Sequence, residues 1–160
     1  SRPMAHVGMP GSRLWIAATN AAAECFKASC LCGAIRFEIT GPVQSIRHCH
    51  CSMCRRQHGT AFSSYAQIAR ADLHISAGAE LIERFASSPD HERHFCRVCG
   101  SKLSYAASHA PELIRIAAGL FDDPLDVADS FHCYCASAAS WYQISDSLPR
   151  FSADVPAPSS

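Results

Sequence analysis

Apolar and polar residues alternate with a period of two along much of this chain. The clearest case is Ala34–Thr40, where Ile35, Phe37 and Ile39 fall on one side and Arg36 and Glu38 on the other. That is the pattern of a half-buried strand. Ala61–Ile68, Leu73–Ser76, Leu81–Phe85, Leu103–Ala106, Leu113–Ala118 and Asp129–Cys135 read as further strands, and Glu92–Phe95 leads into Cys96-Arg97-Val98-Cys99-Gly100. Gly41-Pro42, Ser87-Ser88-Pro89-Asp90, Gly119 and Asp122-Asp123-Pro124 break them as turns. Ser52–His58 fits one or two helical turns that stop at Gly59. Short strands, frequent turns and minimal helix predict an all-β domain. Trp141-Tyr142 reads as an aromatic plug near its end.

The two ends lack this patterning. Residues 1–24 read as a flexible N-terminal extension, 25–152 as one β domain and 153–160 as a flexible tail. The apolar run Leu14–Ala18 is interrupted by Thr19 and Asn20 and is too short to span a membrane. No other stretch is a transmembrane candidate.

Composition changes the picture in two respects. Lys plus Arg and Asp plus Glu number 14 each, so the 160-residue chain has no net charge. It therefore lacks the electrostatic footprint of a nucleic-acid or anionic-membrane binder. The chain also has 10 cysteines, and most fall in clusters: Cys30/Cys32, Cys49/Cys51/Cys54, Cys96/Cys99 and Cys133/Cys135. Neighbours in C-x-C seldom bridge, because the small ring is strained. Clustered thiols are metal spacing, and thiolate zinc sites belong in a reducing compartment, which points to the cytoplasm.

Cys49-His50-Cys51-Ser52-Met53-Cys54 is the densest of these clusters. C-x-C followed by x-x-C lets one bend of chain aim three sulfurs at one ion. Three protein ligands leave a fourth position for water or substrate, the pattern of a catalytic zinc. The competing arrangement closes the site with a histidine such as His48, His58 or a more distant one. His50, between two ligands, is expected to point away. The pairs Cys30/Cys32 and Cys96/Cys99 each end in glycine, at Gly33 and Gly100, and together suit a closed structural zinc site. A redox-active C-x-x-C is the alternative, but no βαβ pattern surrounds it. Cys133 and Cys135 read as small buried hydrophobes, and Cys25 as a free thiol.

These motifs resemble a known family. Ser29-Cys30-Leu31-Cys32-Gly33, Cys49 through Arg56, and Phe95-Cys96-Arg97-Val98-Cys99-Gly100-Ser101 are similar to the glutathione-dependent formaldehyde-activating enzymes, a family that also contains centromere protein V. Gly59-Thr60-Ala61-Phe62, Ala118 through Asp122, and His132 followed by Trp141-Tyr142 extend the resemblance from about Ser29 to Phe151. Ala138 and Ser140 stand where many members carry a lysine and then a proline. The resemblance implies a β-tent fold and two zinc ions. One would be structural, on Cys30, Cys32, Cys96 and Cys99; the other would sit on Cys49, Cys51 and Cys54. It also implies a carbon–sulfur lyase activity that makes S-(hydroxymethyl)glutathione from glutathione and formaldehyde.

The residues suit that chemistry. A free thiol is mostly protonated at neutral pH, and an open zinc site lowers its pKa. Three cysteinates around one zinc leave net negative charge, which a cation such as Arg55 or Arg56 offsets; one of them could also pair with a substrate carboxylate. Gln57 is a candidate contact for substrate amides. The rival reading is a zinc-stabilised module that binds glutathione or a protein without turnover.

Overall fold

The computed structural model describes residues 24–155. The readings made for residues 1–23 and 156–160 lie outside this range. Ten strands and one α-helix follow in order. They are β1 (Phe26–Ser29), β2 (Arg36–Ile39), β3 (Ser45–Cys49), α1 (Ser52–His58), β4 (Ser63–Ala69), β5 (Leu73–Ala77), β6 (Ile82–Ser88), β7 (His91–Cys96), β8 (Lys102–Ala107), β9 (Leu113–Ala117) and β10 (Ser130–Cys133). The all-β expectation holds.

The strands form two sheets. A small one has the order β1-β2-β5, and a larger one of seven strands the order β10-β3-β4-β9-β8-β7-β6. Pairing is antiparallel except between β10 and β3, which run parallel. The alternation in the sequence is realised directly. Ile35, Phe37 and Ile39 are buried, while Arg36 and Glu38 face solvent. They pack with Ile68, Leu103, Ile114 and Ile116 of the large sheet to form the main core. Burying each such side chain is worth roughly 1.5–3 kcal/mol, so this interface holds the two sheets together.

The opposite face of the large sheet is of another kind. Register places Arg47 beside Tyr65, Arg115 beside Tyr105, Tyr105 beside Arg93, and Arg93 beside Phe85. Side chains alternate across a strand, so these residues share one face. The Tyr65 and Tyr105 rings meet edge to face at 4.7 Å. The cysteine loop lies at this end of the sheet, because Cys49 ends β3 and α1 follows at once.

Three details differ from the sequence reading. Strands β1 and β3 are absent from the sequence reading; β1 is a four-residue alternation, Phe-Lys-Ala-Ser, too short to stand out, and β3 reads Ser-Ile-Arg-His-Cys, with polar residues serving both faces. The last strand ends at Cys133, because Tyr134 adopts φ 55 and Cys135 begins a 3-10 turn. Trp141 is no plug, being 72% exposed. Tyr142 takes the packed position, 5.4 Å from Phe62.

Candidate metal and thiol sites

Cys30, Cys32, Cys96 and Cys99 converge, with all four sulfurs within 4.8 Å of one another. Cys30 and Cys32 are 3.5 Å apart and Cys32 and Cys96 4.0 Å. Tetrahedral zinc with bonds of about 2.3 Å requires sulfurs about 3.8 Å apart, so this donor set fits such an ion. Two tight turns build the site. Gly33 and Gly100 have φ 73 and 77, which side chains other than glycine rarely adopt. Their N–H groups donate to the carbonyls of Cys30 and Cys96 at 2.8 Å each. The Ile35 N–H donates to Cys30 Sγ at 3.3 Å, as backbone amides do in thiolate sites. The Cys99 thiol is pushed down to about 5 by hydrogen bonding with Ser101.

Cys49, Cys51 and Cys54 form the second cluster, again within 4.8 Å of one another. No histidine among the described residues joins it. His48 Nδ1 bonds with Ser64 Oγ and His58 Nε2 with Tyr65 Oη, both at 2.8 Å. The chain positions the three sulfurs economically. Cys49 ends a strand, Cys51 caps α1 by accepting from the Cys54 N–H at 3.4 Å, and Cys54 lies on its first turn. Neighbouring thiols cannot all ionise. Hydrogen bonds from Cys49 and Cys51 hold the Cys54 thiol far below its ordinary range, while those with Cys133 and Cys51 push Cys49 up.

His50 turns away from the sulfurs, as its place in the sequence suggested. Its Nε2 lies 2.8 Å from His132 Nδ1, and His132 Nε2 lies 3.0 Å from Asp146 Oδ2. A carboxylate only accepts, so His132 presents an N–H at Nε2 to Asp146, and the His50–His132 bond shares one N–H between the two facing nitrogens. This chain anchors the backbone between Cys49 and Cys51. Arg55 also serves the loop, donating from Nε to the His50 carbonyl at 3.3 Å.

Arg93 escaped the sequence reading. It is 5% exposed, and both terminal nitrogens lie 3.9 Å from Cys54 Sγ. It also donates to Gln57 Oε1 at 2.6 Å and to Ser87 Oγ at 2.9 Å. Gln57 is thus committed to Arg93. No motif marks an arginine in a strand far along the chain; only sheet register brings it to the loop. Cys133 is likewise more than a small hydrophobe. It is fully buried against the cluster, and Arg47 donates to its Sγ at 3.2 Å. Hydrogen bonding with Cys49 brings its thiol down to about 7. Cys25 is an exposed thiol.

A mostly β domain with one four-thiol and one three-thiol cluster defines a small class of cysteine-rich, metal-competent proteins. Within that class the chain belongs to the glutathione-dependent formaldehyde-activating enzyme family, whose sequence profile matches residues 25–137. A Halomonas elongata protein provisionally named as such an enzyme is 30% identical over 123 residues, 72% of this chain and 78% of its own length. An uncharacterised lyase of Schizosaccharomyces pombe is 28% identical over 96 residues, 60% of this chain and 68% of its own. A crystal structure of a Rhodobacter sphaeroides protein superposes with a TM-score of 0.53 at 25% identity, covering 62% of this chain and 90% of that one. No helix among the described residues is long and apolar enough to cross a membrane.

Proposed function

We propose that the protein is a zinc-dependent carbon–sulfur lyase that interconverts glutathione and formaldehyde with S-(hydroxymethyl)glutathione. Membership of the family supports the reaction class, and the three-thiol cluster without a histidine carries the reading to a site. Cys30, Cys32, Cys96 and Cys99 would hold a structural zinc, and Cys49, Cys51 and Cys54 a second one. A zinc ion with three protein ligands supplies a place for a thiolate and a Lewis acid for an aldehyde oxygen.

In the reaction the glutathione sulfur bonds to the formaldehyde carbon, the carbonyl π bond opens, and the sulfur's proton ends on the new hydroxyl. The chain's own residues prepare the site. The Arg93 guanidinium balances thiolate charge beside Cys54. Arg55 and the His50–His132–Asp146 chain keep the loop in shape. The buried Tyr65 and Tyr105 keep that side of the site poor in water.

Calorimetric titration with glutathione and with S-methylglutathione tests this assignment. Glutathione should bind with proton release, and the blocked thiol should bind at least about tenfold more weakly, since it cannot supply a thiolate. Equal binding of the two would remove thiol coordination from the account.

A further inference from the structure

The two faces of the β7–β8 pair carry different chemistry. Arg93 and Tyr105 lie on the side of the thiol loop, while Glu92, His94 and Ser104 lie on the side of the small sheet, since side chains alternate across a strand. On that second side His94 of β7 is paired directly with Ser104 of β8. Ser104 Oγ is 2.8 Å from His94 Nδ1, and His94 Nε2 is 2.9 Å from Glu92 Oε1. A carboxylate only accepts, so His94 presents an N–H at Nε2 to Glu92. In the neutral ring this leaves the Nδ1 lone pair facing the serine hydroxyl. Ser104 and His94 are 4% and 9% exposed, so bulk water does not compete for their bond. A hydroxyl bonded to a base that a third group orients is the arrangement of an activated nucleophile.

The hydroxyl and the imidazole line a cavity of about 330 Å³ between the two sheets, at the β5 edge of the small one. Phe37, Leu73 and Ile75 supply apolar walls from the small sheet, and Ile82 and Ile114 from the large one. Ile75 is 45% exposed, so the cavity reaches the surface there. Arg70 lines it as well. Its Nε donates to the Pro111 carbonyl at 2.8 Å, which fixes the guanidinium, and no carboxylate pairs with it among the described residues. Arg84 Nη1, 3.6 Å from the same Glu92 oxygen, steadies that carboxylate. An apolar cavity with a few converging polar groups is the form of a small-molecule site.

We propose that this cavity is a second active site, which hydrolyses esters with a small apolar acyl group. Ser104 is the nucleophile, His94 the general base and Glu92 the residue that orients it. Ser104 Oγ bonds to the ester carbonyl carbon while its proton passes to His94 Nδ1. The ester C–O bond then breaks, and the leaving oxygen takes that proton from His94 and departs as the alcohol. Water repeats the sequence on the acyl-serine, giving the carboxylic acid and the free serine. Arg70 is the cation that offsets charge developing on the carbonyl oxygen. The cycle uses neither thiol cluster, so it stands apart from the reaction proposed above.

The test uses the purified full chain with para-nitrophenyl butyrate as substrate and a fluorophosphonate as a probe for activated serines. The unmodified protein should release nitrophenol well beyond its own molar amount, which separates turnover from simple acylation of a cysteine. Mass spectrometry should place the phosphonate on Ser104. Ser104→Ala and His94→Gln, with folding checked by circular dichroism, should each lower turnover at least about 100-fold, the scale of a lost general base. His94→Gln should also lose the label. The label is read on the unmodified protein, so the proposal can fail even if a variant does not fold. No label, a label on another residue, or turnover that persists in folded Ser104→Ala overturns it.

Discussion

Arg93 on β7 places both terminal guanidinium nitrogens 3.9 Å from the sulfur of Cys54 on α1. The contact joins the cysteine loop to the far half of the large sheet. It also places a buried cation beside a thiol of the three-cysteine cluster, where it favours the thiolate. Arg93→Met leaves Gln57 and Ser87 without their donor and Cys54 without its counter-charge. It should cost about 3 kcal/mol of stability, the scale of a broken buried ionic contact. Arg93→Lys keeps the charge but loses the fork and should recover only part of this. Denaturant unfolding of both variants measures the loss; no change in Arg93→Met would mean that the contact is incidental.

The two cysteine clusters should differ in what they support. Cys96 is fully buried and belongs to the four-thiol set, which ties the loop after β1 to the turn after β7. Cys96→Ser should lower the melting temperature sharply, because metal binding in a closed site is folding energy, on the order of 10 kcal/mol. Cys54→Ser should leave a folded protein with altered thiol binding. Thermal melts compare them directly, and equal losses would contradict the division of roles.

Metal content follows from the same division. Elemental analysis should give about two zinc ions per chain. Mild chelation should remove the ion of the three-thiol set first, since a site with fewer protein ligands releases metal more readily. The first ion should leave with little change in circular dichroism, and loss of the second should unfold the domain. A single ion per chain would remove the three-thiol site from the account.

Acid should destabilise the protein through partly buried histidines. Burial holds His58 and His91 below the ordinary imidazole range. In the unfolded chain both titrate near about 6.5. Above that pH neither state gains protons at these rings. Below it the unfolded chain takes up protons that the folded chain refuses, so stability falls as pH falls, until the folded pKa values are passed. Melting temperatures measured from pH 7.5 to 5.5 should therefore decline below about 6.5. A His58→Gln, His91→Gln double variant should decline less; an identical slope would contradict the assignment.

Much of this was legible in the sequence. The alternation through Ile35, Phe37 and Ile39 gave a strand and its buried face. Local cysteine spacing gave both thiol clusters, because C-x-C and C-x-x-C are set by the geometry of one turn. The short helix from Ser52 to His58 was readable from the glycine that ends it. The contacts that surround the cluster were not readable. Arg93, Cys133 and His132 reach it only through sheet order and register, and no local pattern encodes the neighbour of β3 or β7. Gln57 was legible as a polar side chain near the loop, but its bond to Arg93 depends on the strand beneath it. Trp141 misled because an aromatic pair looks the same whether it is packed or exposed.

The most direct test of the central claim is the exchange rate between free and glutathione-bound formaldehyde, followed by magnetisation transfer with carbon-13 formaldehyde. The adduct forms unaided, so rates and not yields carry the information. At pH 7 an unperturbed thiol is only a few per cent thiolate, so supplying thiolate gives at most roughly 10–30-fold. The account predicts an acceleration of that order at pH 7, fading toward pH 9, and lost in Cys54→Ser. No acceleration at any pH, with glutathione still bound, would contradict it and leave a thiol-binding module in its place.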